Sequence, residues 1–303
     1  MLRSFHHHQF PVERLVEAKR GRRLSVCLPA KDEEATIGPI LEVLRGRLMD
    51  DQPLVDEVVV IDDGSVDATA RVAADAGAHV FAAAEVLAEY GTDGGKGQAM
   101  WKGLHVTNGD IVAFCDADVA NFGPEFVTGT VGPLLLRDDV AFVKAFYERP
   151  LDGRAGEGGR VTELVARPLI SLLFPHLASL VQPLAGECAA RREVLEQVPF
   201  VSGYGVDLGL LIDVSERFGA GSIVQCDLGR RVHRNRPLSE LSLQAMAIIQ
   251  LALARVGTAA DLVEGVSGLP WHAMLWRPGQ DPTPVTLTER PSLSKVPAHR
   301  KSA

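Results

Sequence analysis

Two aspartates one residue apart close an apolar run in "GDIVAFCDADVANF", residues 109–122. If the strand continues, Asp116 and Asp118 face the same side. Paired carboxylates at the rim of a sheet can hold a divalent cation or aim at another positive charge. The plainer alternative is a strand end meeting solvent, and with 39 acidic residues in 303 an acid-x-acid pair arises readily by chance. Position favours chemistry, because two earlier apolar runs end alike: "RLSVCLPA" (23–30) runs into "KDEE", and "VDEVVVI" (55–61) into "DDGS".

These runs imply the elements that must position such residues. Continuous apolar, β-branched stretches without alternation indicate strands covered on both faces, hence an α/β fold with a mostly parallel sheet and helical crossovers. Ligands of such sheets sit at the carboxyl ends of the strands. Ile37, Ile40, Leu41, Leu44 and Leu48 recur at helical spacing behind a cluster of acids, as the helix dipole prefers. A second helix is expected from about Ala68 to Ala76, "AHVFAAA" is a third strand and "GDIVAFCDAD" a fourth. Further on, "VDLGLLIDVSERFG" and a run starting near Leu238 read as helices.

The segment "GTDGGKGQAM" (91–100) has glycines and Lys96 but no Ser or Thr after the lysine, so it is not a P-loop, and no G-x-G-x-x-G follows the first strand. An acidic rim would then handle phosphate through a cation, and hard carboxylate oxygens suit Mg²⁺ or Mn²⁺. A net charge of −8 argues against nucleic acid as partner. Cys27, Cys115, Cys188 and Cys226 show no C-x-x-C spacing, which suits a reducing cytoplasm. No apolar run approaches the ~18 residues of a membrane span, and the opening "MLRSFHHHQFPVERL" lacks a signal peptide's apolar stretch. His6, His7 and His8 could form a metal site; without acidic neighbours, a flexible arm over 1–22 is the expectation.

Taken together, "LPAKDEE", "IDDGSVDAT", "GGKGQAM" and "CDAD" resemble the GT-A nucleotide-sugar glycosyltransferases. "GGRVTELVARPL", "LVQPLAGE", "PFVSGYGVDLGLLID" and "VHRNRPL" narrow the resemblance to the retaining glucosyl-3-phosphoglycerate synthase family of actinobacteria. It runs from about Arg23 to Leu241. It implies a Rossmann-like GT-A fold with helices on both sheet faces and a helical and loop acceptor region, divided into a nucleotide-sugar half (23–140), an acceptor half (141–245) and a final segment (246–303). It implies transfer of glucose from UDP-glucose, or GDP-glucose, to the 2-hydroxyl of 3-phosphoglycerate, in a homodimer dependent on Mg²⁺ or Mn²⁺.

The resemblance also assigns residues. Asp118 and His233 become metal ligands, although a lone histidine among basic neighbours is ordinarily a surface residue. Pro29, Ala30, Glu33, Asp63, Lys96, Asp116, Ala117 and Tyr204 would meet the nucleotide sugar. Better-known members carry Ser where Asp63 stands. Gly159, Arg160, Val161, Thr162 and Asn235 would bind the acceptor. A freed backbone, an arginine fork and N–H groups at a helix start form a ready anion site, and the bland reading is a glycine-rich loop before a capped helix. Arg231 would face the departing diphosphate, and the Leu184 carbonyl would orient the acceptor. Asp207 stands where better-known members carry Glu; one methylene fewer retracts the carboxylate by roughly 1.5 Å. That leaves GDP-mannose, and so mannosyl-3-phosphoglycerate synthesis, as an alternative.

The final segment carries prolines at 270, 278, 282, 284, 291 and 297, and an extended or disordered tail is expected there. A polyprenyl-phosphate glycosyltransferase would instead need a membrane-binding tail. A non-catalytic nucleotide-sugar-binding protein should have lost Asp118 and His233.

Overall fold

The architecture comes from a computed structural model that describes residues 2–149, 159–232, 238–256, 272–275 and 283–300. The expected strands form as β2 (Leu24–Ala30), β3 (Glu57–Asp62), β4 (His79–Ala82) and β5 (Ile111–Phe114), and β1 (Arg3–His6), β6 (Phe142–Glu148), β7 (Cys188–Arg191) and β9 (Ile223–Arg230) join them. They make one eight-stranded sheet in the order β1-β9-β6-β7-β5-β2-β3-β4. All pairings are parallel except those of β7, which runs antiparallel to both β5 and β6.

The lack of alternation in the sequence has a direct cause. Val26, Leu28, Val58 and Val60 enter one core, while Cys27, Val59 and Ile61 enter another on the opposite face. Helices α1 (Val12–Lys19), α2 (Glu34–Arg45), α3 (Thr69–Asp75) and α5 (Glu125–Leu136) supply the first core. Helices α4 (Lys96–Val106), α6 (Arg167–Leu173), α7 (Arg192–Leu195), α8 (Val206–Phe218) and α9 (Leu238–Arg255) supply the second.

Two expectations are corrected. Residues 1–22 were expected as a flexible arm, but β1 pairs in parallel with β9, Arg3 meets Asp139 at 2.5 Å, and Phe10 and Leu15 are buried. Phe10 fits because Gly132 of α5 has no side chain: a Cβ there would lie 2.4 Å from the ring. At the edge formed by β1, His6, His7 and His8 each bring a ring nitrogen within 4.8 Å of the others.

The proline-rich end is likewise not an extended tail between 283 and 300. It forms β11 (Thr283–Thr286), β12 (Glu289–Arg290) and the short helix α10 (Pro297–Arg300). β11 pairs with β10 (His272–Leu275), and β12 with β8 (Phe200–Val201). Val285, Leu287, Leu293 and Val296 are buried in the second core. Pro284 sits in a two-stranded ribbon and Pro291 just past β12, positions where a missing N–H costs little.

Candidate active site

Because β2, β3 and β5 are neighbouring parallel strands, their carboxyl ends share one rim. A cleft of about 800 Å³ opens there. Pro29, Ala30, Glu33, Asp63, Lys96, Asp116, Ala117, Asp118, Gly159, Arg160, Val161, Thr162, Leu184, Tyr204, Asp207 and Arg231 all line it. Segments far apart in the chain thus converge. His233 and Asn235 lie outside the described residues.

Local geometry explains the convergence. Thr36, in the first turn of α2, donates to the Ala117 carbonyl at 2.6 Å, tying that helix to the end of β5. Asp63 accepts the Gly95 N–H at 2.7 Å, which links the end of β3 to the turn presenting Lys96. Asp63, expected only as a nucleotide contact, therefore also holds the loop. Gly95 has a φ of +119°, a region that disfavours other residues. Gly186 is required for a different reason: a Cβ would fall 1.8 Å from the Asp116 carboxylate.

The floor of the cleft is a chain of alternating charges. Lys96 Nζ lies 2.7 Å from Asp116 and 3.4 Å from Asp207. Lys144 holds the other Asp207 oxygen at 2.8 Å. Arg231 Nη2 lies 2.9 Å from Asp116 and 2.5 Å from Asp118. Behind it, Arg231 Nη1 donates to the Tyr147 hydroxyl at 2.6 Å, and that hydroxyl donates to Glu187 at 2.7 Å. Arg149 also donates to the Tyr147 oxygen, at 2.6 Å.

Burial sets the energetic stakes. It would raise the Asp116 pKa, but the Lys96 ammonium and then the Arg231 guanidinium outweigh it and hold this carboxyl well below the usual range. For Lys96, Asp116 and then Asp207 overcome burial and push the pKa above its ordinary value. Glu187 is raised because burial exceeds the attraction of Arg231, and burial pushes Tyr147 up to about 12.

A divalent cation fits this donor set. Asp118 lines the cleft, and among the described residues Arg231 occupies only one of its two oxygens. The other is a hard donor of the type Mg²⁺ and Mn²⁺ take. At the other end Arg149, Arg160 and the start of the helical run 160–173 supply positive charge and N–H groups for an anion.

Sequence reasoning missed Lys144, Tyr147, Arg149 and Glu187. Lys144 is a lone cation inside "AFVKAFY", and Glu187 a lone acid amid small residues in "LAGECAA". A charged residue embedded in an apolar run is a usable signal, since it is almost never fully buried without a partner.

Residues 25–198 match the family model described as glycosyl transferase family 2. The glucosyl-3-phosphoglycerate synthase of Petrotoga mobilis is 41% identical over 99% of this chain and 95% of its own. The chain belongs to the glucosyl-3-phosphoglycerate synthase family. A family member from Mycobacterium tuberculosis, crystallised in complex with Mn²⁺, UDP-glucose and phosphoglyceric acid, superposes with a TM-score of 0.85 at 41% identity, covering 97% of this chain and 98% of that one. The mannosyl-3-phosphoglycerate synthase of Rubrobacter xylanophilus superposes with a TM-score of 0.86 at 39% identity, covering 97% of each chain. The expected GT-A-like fold is thus the fold of the family.

Proposed function

We infer that the cleft transfers glucose from UDP-glucose to the 2-hydroxyl of 3-phosphoglycerate, with retention at the anomeric carbon, giving glucosyl-3-phosphoglycerate. The observation that carries this is the pairing of an acidic, cation-ready rim with a cationic pocket end in one cleft, in a chain alike throughout to a relative crystallised with these ligands.

Pro29, Ala30, Glu33, Asp63 and Tyr204 bind the nucleoside portion of the donor. Asp118 holds the divalent ion, with His233 as second protein ligand. When bound, the ion supplies Lewis-acid neutralisation of the diphosphate. Arg231, kept in place by Tyr147 and Glu187, adds a fixed positive charge where the leaving group develops its own, the kind of pre-organised electrostatics that lowers such barriers most. Arg149, Arg160, Thr162 and Asn235 bind the acceptor's phosphate and carboxylate.

Retention needs no covalent intermediate here. Both oxygens of Asp207 are engaged, by Lys144 and by Lys96, so this carboxylate is suited to holding sugar hydroxyls rather than to attacking. The acceptor hydroxyl attacks on the face the diphosphate leaves, the leaving phosphate takes its proton, and the Leu184 carbonyl orients the incoming oxygen.

A second reading, mannose transfer from GDP-mannose, is favoured by the likeness to the Rubrobacter enzyme and by Asp207 itself. A panel of UDP-glucose, GDP-glucose and GDP-mannose against 3-phosphoglycerate, with the product's anomeric proton read by NMR, decides between them. UDP-glucose giving the α-linked product supports the first reading, and turnover with GDP-mannose alone overturns it. No helix among the described residues is long and apolar enough to cross a membrane. A soluble acceptor, a cytoplasmic setting and a homodimer complete the reading.

A further inference from the structure

Arg290 stands in the C-terminal strand β12, far in sequence from every residue assigned to the cleft, and is buried against the 91–95 loop that leads into Lys96, the first residue of α4. Its Nε donates to the fully buried Gln98 Oε1. Gln98 in turn donates from Nε2 to the Gly91 carbonyl at 2.9 Å. Gly91 has a φ of +113°, and a Cβ on it would lie 2.7 Å from Arg290 Nη2, so backbone and arginine are packed in direct contact. The same nitrogen is 3.7 Å from the carboxylate of Asp93, on the loop itself.

The far side of the loop is already fixed by Asp63 at Gly95. At the near end the Gly91 carbonyl is held by Gln98 and by Lys102 Nζ at 3.1 Å, and Arg290, bonded to Gln98 and packed on Gly91, completes this second anchor of a span whose glycines give it little stiffness of its own. It also reaches the other wall of the cleft. Arg290 pairs with Phe200 of β8, and Ser202, directly after that strand, donates its N–H to Thr288 at 2.8 Å. The Tyr204 turn follows at once, and a Cβ on Gly95 would lie 3.1 Å from the Gly203 nitrogen.

We propose that Arg290 is a positioning residue of the donor site: through Gln98 it sets the 91–95 loop, and with it the place of Lys96, against the Tyr204 turn. This rests on the donor-site reading above and adds to it a control point delivered by the C-terminus. Arg290 touches neither substrate in this account, so its effect should fall on donor binding alone.

The test is a split of kinetic constants on the full-length chain with its divalent ion. Arg290→Met keeps the aliphatic stem and removes the donors. The expected result is a rise in the donor KM of about tenfold, the scale of losing one hydrogen bond to a charged group. The 3-phosphoglycerate KM and kcat at saturating donor should stay within about twofold, well under the ~1.4 kcal/mol that one decade represents. Gln98→Leu should reproduce the shift, the double variant should be no worse than either single one, and Arg290→Lys should recover part of the loss. An unchanged donor KM, or an equal rise for donor and acceptor, overturns the proposal. If Arg290→Met does not fold, Gln98→Leu and Arg290→Lys carry the same readout. If the wild-type chain ignores UDP-glucose, the donor reading fails instead, and the split is measured with whichever nucleotide sugar the panel selects.

Discussion

Asp207 and Lys144 form the most consequential pair in the cleft that the sequence does not announce. Lys144 is fully buried, with its ammonium 2.8 Å from Asp207. Removing one partner of such a pair leaves an uncompensated buried charge, at a cost of about 3–5 kcal/mol. Asp207→Asn should therefore lower the melting temperature markedly as well as the turnover. Adding Lys144→Met should restore much of the stability but none of the activity, and thermal melts of the single and double variants check this non-additivity. Asp116 has the opposite sign of pKa shift to Glu187, and its pH signature follows. Its folded pKa lies below its unfolded value of about 3.9. The stability it contributes is fully present above that value and is lost as pH falls towards the folded one. Between about pH 5 and 3, wild-type stability should thus fall faster than that of Asp116→Asn; parallel curves in urea titrations would contradict the depressed pKa.

At the scale of elements, what the sequence revealed and what it hid have separate physical causes. β2, β3 and β5 were legible because each is covered on both faces and stops at polar residues on the ligand rim. β7 was not, since Cys188–Arg191 is a short stretch of mostly small residues that enters antiparallel between β5 and β6. Its placement matters for the site. Gly186 lies two residues before it and packs on Asp116, whose carboxylate is pinned by Lys96 and Arg231 and cannot yield. Gly186→Ala should consequently reduce kcat/KM by about 100-fold or more, as small misplacements of catalytic geometry do. Circular dichroism should remain that of the folded chain. Near-normal turnover would mean that Asp116 is not held as described.

On the scale of the whole molecule, proline density misled because it speaks about local conformation and is silent on what an irregular segment packs against. Residues 283–300 place Val285, Leu287, Leu293 and Val296 in the second core, and the Trp101 indole donates to the Pro291 carbonyl at 2.8 Å. Each such aliphatic contributes about 1.5–3 kcal/mol by burial, so their sum rivals the ~5–15 kcal/mol that stabilises a typical domain. A chain truncated after residue 282 should not give a cooperative melt. Resemblance across the chain made the cleft legible, residue by residue. The charges beneath it became visible only once the sheet had brought β6, β7 and β9 together.

Glucosyl transfer is expected to depend on a divalent ion held by Asp118. Product formation from UDP-[¹⁴C]glucose and 3-phosphoglycerate, measured before EDTA, after EDTA and after readdition of Mg²⁺ or Mn²⁺, checks this dependence. Glucosyl-3-phosphoglycerate synthesis should be lost on chelation and recover on readdition in the wild-type chain, with Asp118→Asn inactive throughout. Transfer that persists in EDTA, or labelling of a lipid phosphate in place of 3-phosphoglycerate, would contradict it.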